Sequence, residues 1–176
     1  MKGKLTPAMI ALVAILIALT TVFTLLIRVP TPARGYVNLS DVAIVFTGLT
    51  FGPWVGLVVG GLGTALADVI GGFAPFAPLS LLAHGLEGLL IGLLGYGRRS
   101  VAAMILAWLA GAVAMVACYF VGEGLFYTGW PLALAEVPLN AFQALIGAVG
   151  GISLTLAVRK AYPQVDQIGR PKTWTE

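Results

Sequence analysis

An all-α integral membrane protein of six transmembrane helices is the fold class this sequence predicts. Three observations carry it. Only 10% of the 176 residues are charged, while 59% are hydrophobic, where a soluble domain carries about 25% charge. Mean hydropathy is +0.99, which excludes a water-coated globule and a disordered chain alike. The apolar residues fall into runs separated by Pro, Gly and basic residues, and a helix needs about 20 apolar residues to cross a bilayer. Six crossings consume about 120 positions on that count, which leaves short loops, two tails and no soluble catalytic domain.

The first helix is read over Ala8–Ile27, twenty residues without charge. It is too long for a signal-peptide apolar region, and Arg28-Val29-Pro30 offers no small-residue cleavage site, so it is expected to be retained. Pro30, Pro32 and Gly35 mark a loop over 28–38. Leu39–Phe51 and the glycine-rich Val55–Ile70 follow, joined through Gly52-Pro53-Trp54 as a tight hairpin of two short helices. Pro75 and Pro78 mark a second loop over 71–78. Leu79–Tyr96 and Val101–Val121 are the fourth and fifth helices. A longer loop is expected over 122–138, then a sixth helix over Leu139–Val158, making residues 1–160 the membrane domain. A polar tail, 161–176, is expected to be partly disordered. Six crossings place both termini on one side, together with Lys2, Lys4, Arg98, Arg99, Arg159, Lys160, Arg170 and Lys172; only Arg28 and Arg34 fall opposite. Basic residues favour the cytoplasm, so both termini are expected there, in a multi-pass protein of the cell membrane. Reading 39–70 as one crossing would split the later arginine pairs between the two sides.

The net charge of +3 does not indicate nucleic acid, because the basic residues form no aromatic-interleaved patch. The single cysteine, Cys118, reads as a helix filler. Small residues recur at four-residue spacing at Gly56/Gly60, Gly88/Gly92 and Gly147/Gly151. Such pairs let helix backbones approach, and internal packing is the better reading for the glycines. Ala11, Ala14 and Ala18 form a stripe on the first helix, suited equally to internal packing or to docking another membrane subunit.

Ionisable groups in a membrane segment are costly and mark sites. Asn38, Asp41 and Asp68 fall at external helix ends. Ser80, His84 and Glu87 stand at i, i+4 and i+7 on the fourth helix, and Glu136, Asn140 and Gln143 repeat that spacing on the sixth. Tyr119 and Glu123 lie one turn apart on the fifth. Three polar stripes at one depth predict a pocket open outside and sealed by apolar packing inside, with Tyr127 and Trp130 nearby on the long loop. Its inventory suits hydrogen bonding to a small neutral or cationic heterocycle. Blander roles stand beside these: Glu136 as a solvated loop residue, Asp41 as an N-terminal helix charge, Asp68 paired with Arg34, and the aromatics as interface anchors. His84 and Glu87 are two metal ligands lacking a third at suitable spacing, and an acid–base pair lacking a nucleophile. No phosphate-binding G-x-x-x-x-G-K-[ST] loop is present, so the chain does not itself use ATP. No resident metal, cofactor or catalysis is expected.

Gly35-Tyr36-Val37-Asn38-Leu39-Ser40-Asp41, Phe51-Gly52-Pro53-Trp54, Ala65-Leu66-Ala67-Asp68, His84-Gly85-Leu86-Glu87-Gly88 and Pro138-Leu139-Asn140-x-x-Gln143 follow in this order. Together they resemble the substrate-binding S components of energy-coupling factor (ECF) vitamin importers, of the hydroxymethylpyrimidine, pyridoxine-like and riboflavin-type branch. The resemblance spans about residues 8–160. It implies a six-helix protein that binds a vitamin externally and docks on a transmembrane coupling subunit driven by two cytoplasmic ATPases. It further implies toppling in the membrane to release the vitamin inward. The family's A-x-x-x-A docking motif maps onto Ala14 and Ala18. Relatives often carry lysine where His84 stands. On this reading His84, Glu87, Asn140 and Gln143 bond the ligand, Tyr119, Tyr127 or Trp130 stacks on it, Asp41, Asp68 and Glu123 shape the site, and 28–38 is its lid. A cation-coupled carrier using Glu87 or Asp68, and a small intramembrane enzyme using His84 and Glu87, are the alternatives.

Overall fold

The computed structural model describes residues 6–31 and 35–168. Six helices alternate in direction, so their ends form two layers. α1 is Pro7–Leu26, α2 Ser40–Phe51, α3 Pro53–Gly71, α4 Ala77–Gly95, α5 Val101–Gly122 and α6 Trp130–Ala161. All but α2 are long and apolar enough to cross a membrane. Large apolar side chains such as Leu106, Val113 and Val149 are exposed on the outer faces, as they are where lipid is the solvent. Residues 28–38, expected as a loop, carry a two-stranded antiparallel ribbon in which β1, Val29–Pro30, pairs with β2, Tyr36–Val37.

Glycine sets the interior packing. α3 and α4 touch backbone to backbone: a methyl group placed on Gly56 would collide with the carbonyl of Gly88, and one on Gly88 with Gly56. The same holds between Gly60 and the His84 carbonyl, and between Gly92 and Pro53. On α6, Gly147 and Gly151 lie against Asp41 and Val45 of α2. The recurring glycines therefore pack within this chain, which fixes how closely α4 brings its polar face to α2 and α3.

The hairpin between α2 and α3 turns on the single residue Gly52, at φ 93°, a conformation favoured by glycine. α2 has 12 residues and α3 has 19, about 18 and 28 Å at 1.5 Å per residue. Starting from a common turn, α2 stops about 10 Å short. Its N-terminus, almost wholly buried, thus forms a floor inside the bundle.

The fifth connection corrects the sequence reading. Residues 122–138 are not an extended loop: Glu123–Tyr127 continue α5 as a π-helical turn, and α6 starts at Trp130 and runs 32 residues. Gly129, at φ 80°, breaks the chain, and Pro131 suits a first helical turn because its missing N–H is needed by no partner there. Pro138 sits inside α6, tolerated as prolines in membrane helices are. Glu136 is consequently a buried helix residue, 3% exposed.

At the opposite end Arg159 of α6 joins three connections. Its guanidinium donates to Asp166 Oδ1 at 2.8 Å, the Arg98 carbonyl at 2.9 Å and the Leu49 carbonyl at 3.0 Å. Asp166 lies in a short 3-10 helix, Pro163–Gln167, whose Val165 is buried with Leu16, Phe46 and Phe51. The start of the tail is therefore folded. Arg98, Arg99, Arg159 and Lys160 share this end, and Arg28 lies at the other. Lys2, Lys4, Arg34, Arg170 and Lys172 lie outside the described residues.

Candidate binding cavity

A narrow cleft opens at the end of the bundle away from Arg159, with about 470 Å³ of empty space including its mouth. Each helix that reaches it contributes the polar face the sequence singled out. α4 supplies Ser80 and His84; α5 and its π turn supply Tyr119 and Glu123; α6 supplies Glu136, Asn140 and Gln143; α3 ends on Asp68. Asn38 enters from the residue pair ahead of α2. Helical spacing thus brings these side chains together around one cleft.

The wall is extensively hydrogen-bonded. Ser80 and Tyr119 hydroxyls meet at 2.8 Å, and the Tyr119 ring lies edge-on to His84 with centroids 5.6 Å apart. Gln143 bridges two elements: its carbonyl accepts from Asn38 N at 2.7 Å, and its amide donates to Asp41 Oδ1 at 2.9 Å. Asn38 Oδ1 in turn accepts from Ser40 N at 2.7 Å, satisfying a free N–H at the start of α2. Gln143→Leu should leave the Asn38 N–H without its partner, costing about 1–3 kcal/mol. Hydrogen exchange at residues 36–39 should accelerate; unchanged protection there would show the bridge to be dispensable.

Asp41 and Glu87 do not line the cleft. They lie fully buried beneath it, against His84. His84 Nδ1 stands 2.8 Å from Glu87 Oε2 and 3.6 Å from Asp41 Oδ1. Asp41 Oδ2 and Glu87 Oε1 have no hydrogen-bond partner. Tyr127 and Trp130 stand outside the lining: Tyr127 stacks on Phe76 and donates to the Pro75 carbonyl, and half-exposed Trp130 leans on Phe120. Asp68 accepts from Tyr36 at 2.7 Å; the suggested partner Arg34 lies outside the described residues.

The sequence reading missed Tyr36, Phe73, Phe76, Thr24 and Thr64, all of which line the cleft. Thr20 and Thr24, one turn apart on the face of α1 opposite the alanines, were a legible signal. The ribbon delivers Tyr36, which packs edge-on against Phe73 at 4.7 Å. Burial and the Asp68 carboxylate hold the Tyr36 hydroxyl well above the usual tyrosine pKa, outweighing Arg28. Tyr36 therefore remains a donor, and Arg28, over the Tyr36 and Phe73 rings and bonded to the Gly71 carbonyl, ties the ribbon to α3 at the mouth.

Donors and acceptors are unequal. The lining holds the carboxylates of Asp68, Glu123 and Glu136 and the amides of Asn38, Asn140 and Gln143, and among the described residues no Lys or Arg. Such a surface accepts from a ligand rich in N–H and O–H groups and repels an anion.

Proteins of known sequence resemble this chain over most of its length. The family described as "ECF-type riboflavin transporter, S component" matches residues 4–160. A Pyrococcus woesei protein described only as an uncharacterized protein in the gap 3′ region is 36% identical over 141 residues, covering 80% of this chain and 94% of that one. A protein of Lactococcus lactis subsp. cremoris, named thiamine precursor transporter HmpT, is 34% identical over 142 residues, 80% of this chain and 81% of that one.

Proposed function

The chain belongs to the S components of ECF-type riboflavin transporters, the membrane-embedded parts of vitamin importers, and from that premise we propose that it captures a small, uncharged or cationic heterocyclic vitamin precursor at the external face. A hydroxymethylpyrimidine or a pyridoxine-like compound fits best. The observation that supports this reading is the acceptor-rich lining of the cleft, which among the described residues holds no Lys or Arg. An aminopyrimidine bearing a hydroxymethyl group presents N–H and O–H donors to Asp68, Glu123, Glu136 and Asn140, while Tyr119 and Phe76 offer ring faces. Vitamins carrying a carboxylate or phosphate would set like charges together in a low-dielectric site. The relative named as a thiamine precursor transporter points the same way.

In this reading the cleft end faces outside and both termini the cytoplasm, where the protein meets a coupling subunit and two ATPases. Residues 28–38 serve as the lid, held by Tyr36–Asp68 and Asn38–Gln143. His84, Asn140 and Gln143 bond the ligand directly. Glu87 and Asp41 hold His84 from below.

Purified protein titrated with hydroxymethylpyrimidine, pyridoxine, riboflavin, thiamine and the anionic vitamins tests it. Submicromolar binding of a pyrimidine or pyridine alcohol is expected, with anions excluded; affinities of micromolar or weaker across the panel would sink the proposal. Asn140 is buried and lines the cleft. Asn140→Leu should therefore weaken binding about 100-fold, since a ligand polar group is left unpaired in a dry site, with an unchanged melting temperature. Uptake that needs no ATPase and collapses with an uncoupler would favour the cation-coupled carrier instead.

A further inference from the structure

The geometry points to a divalent-cation site of the zinc class at Asp41, His84 and Glu87, beneath the cleft and sharing His84 with its lining. One nitrogen and two carboxylate oxygens from these residues lie within 4.8 Å of one another, and all three side chains are buried. α4 contributes His84 and Glu87, and the short α2 brings Asp41 to the same depth.

Three features distinguish this cluster from a chance group of acids. First, it contains the sole histidine of the chain, and imidazole with carboxylates is a donor set that suits zinc and its neighbours. Second, each carboxylate keeps one oxygen, Asp41 Oδ2 and Glu87 Oε1, buried and without a partner, in a place where unpaired polar atoms are costly. Third, the ion-pair partner of both acids among the described residues is His84 itself; no Lys or Arg reaches them. One divalent ion balances two carboxylates and a neutral imidazole. Ligand atoms around a four-coordinate zinc stand about 3.4 Å apart, and the separations of 3.6 and 2.8 Å from His84 Nδ1 bracket that value. Three protein ligands leave one position for a further ligand, and His84 also belongs to the cleft lining.

The test uses tag-free full-length protein in detergent, stripped with chelator and titrated with Co²⁺ while visible absorption is recorded. One Co²⁺ per chain is expected, with the absorption of a low-coordinate ion, displaced by Zn²⁺. His84→Gln and Glu87→Gln should each weaken uptake at least 100-fold, whereas Cys118→Ala, which removes the one thiol, should bind as before. Zn²⁺ should raise the melting temperature of the wild type and of Cys118→Ala but not of the two site variants. Absence of saturable uptake by the wild type overturns the site even if a variant fails to fold, and so does uptake that survives both site substitutions. Because no vitamin is present, and vitamin titrations are repeatable in chelator, failure here and failure of the vitamin reading are separately visible.

Discussion

Changing Ala14 and Ala18 together to leucine is expected to abolish vitamin uptake by cells while leaving vitamin binding by the purified protein unchanged. α1 has two faces of different use. Leu16, Thr20, Thr21 and Thr24 are buried toward the bundle, and Thr21 donates to the Gly63 carbonyl of α3 at 2.9 Å. Ala11, Ala14 and Ala18 are exposed on the other side. Leucine is as compatible with lipid as alanine, so the change costs the isolated protein little. It does add bulk where a partner helix would approach closely, and small residues are what permit that approach. None of the three alanines borders the cleft. Uptake should fall by ten-fold or more in cells bearing the coupling subunit and ATPases, with Kd for the vitamin unaltered. Retained uptake would remove the docking role from this face.

The second large effect is structural. Gly88→Val should prevent accumulation of folded protein, because the added carbons collide with Gly56 backbone atoms rather than with a movable side chain. Overpacking a core typically costs about 1–3 kcal/mol; where two backbones oppose each other, about 3 kcal/mol or more is expected. Gly35→Ala is the comparison, since its new methyl would rest at ordinary contact with Thr31 and should change stability by about 0.5 kcal/mol or less. Thermal melts in detergent and yield from membranes read both. A well-folded Gly88→Val protein would mean that α3 and α4 part more easily than their packing implies.

Much of this architecture was legible in the sequence. α1, α3 and α5 begin and end within about two residues of the apolar runs, since charge, Pro and Gly delimit them sharply. α6 was shortened in the reading because Pro131 and Pro138 look like loop signals, although proline opens helices well and survives inside membrane ones. The periodic stripes Ser80–His84–Glu87 and Glu136–Asn140–Gln143 supply five residues to the cleft lining, while Glu87 lies buried beneath it. Periodicity along one helix says nothing of its neighbours, however. That Asp41 meets His84 and Gln143 depends on α2 being short and sunk, and that Tyr36 reaches Asp68 depends on a ribbon two residues wide. Neither relation has a signature in one dimension.

The Arg159 guanidinium spans the α2 C-terminus, the α4–α5 turn and the folded part of the tail. The bundle is in effect a cup: Arg159 rivets its base, and the cleft opens at the far end. If the cleft is the capture site proposed above, its one described opening serves both loading and delivery, and a plug wedged in the mouth should arrest both.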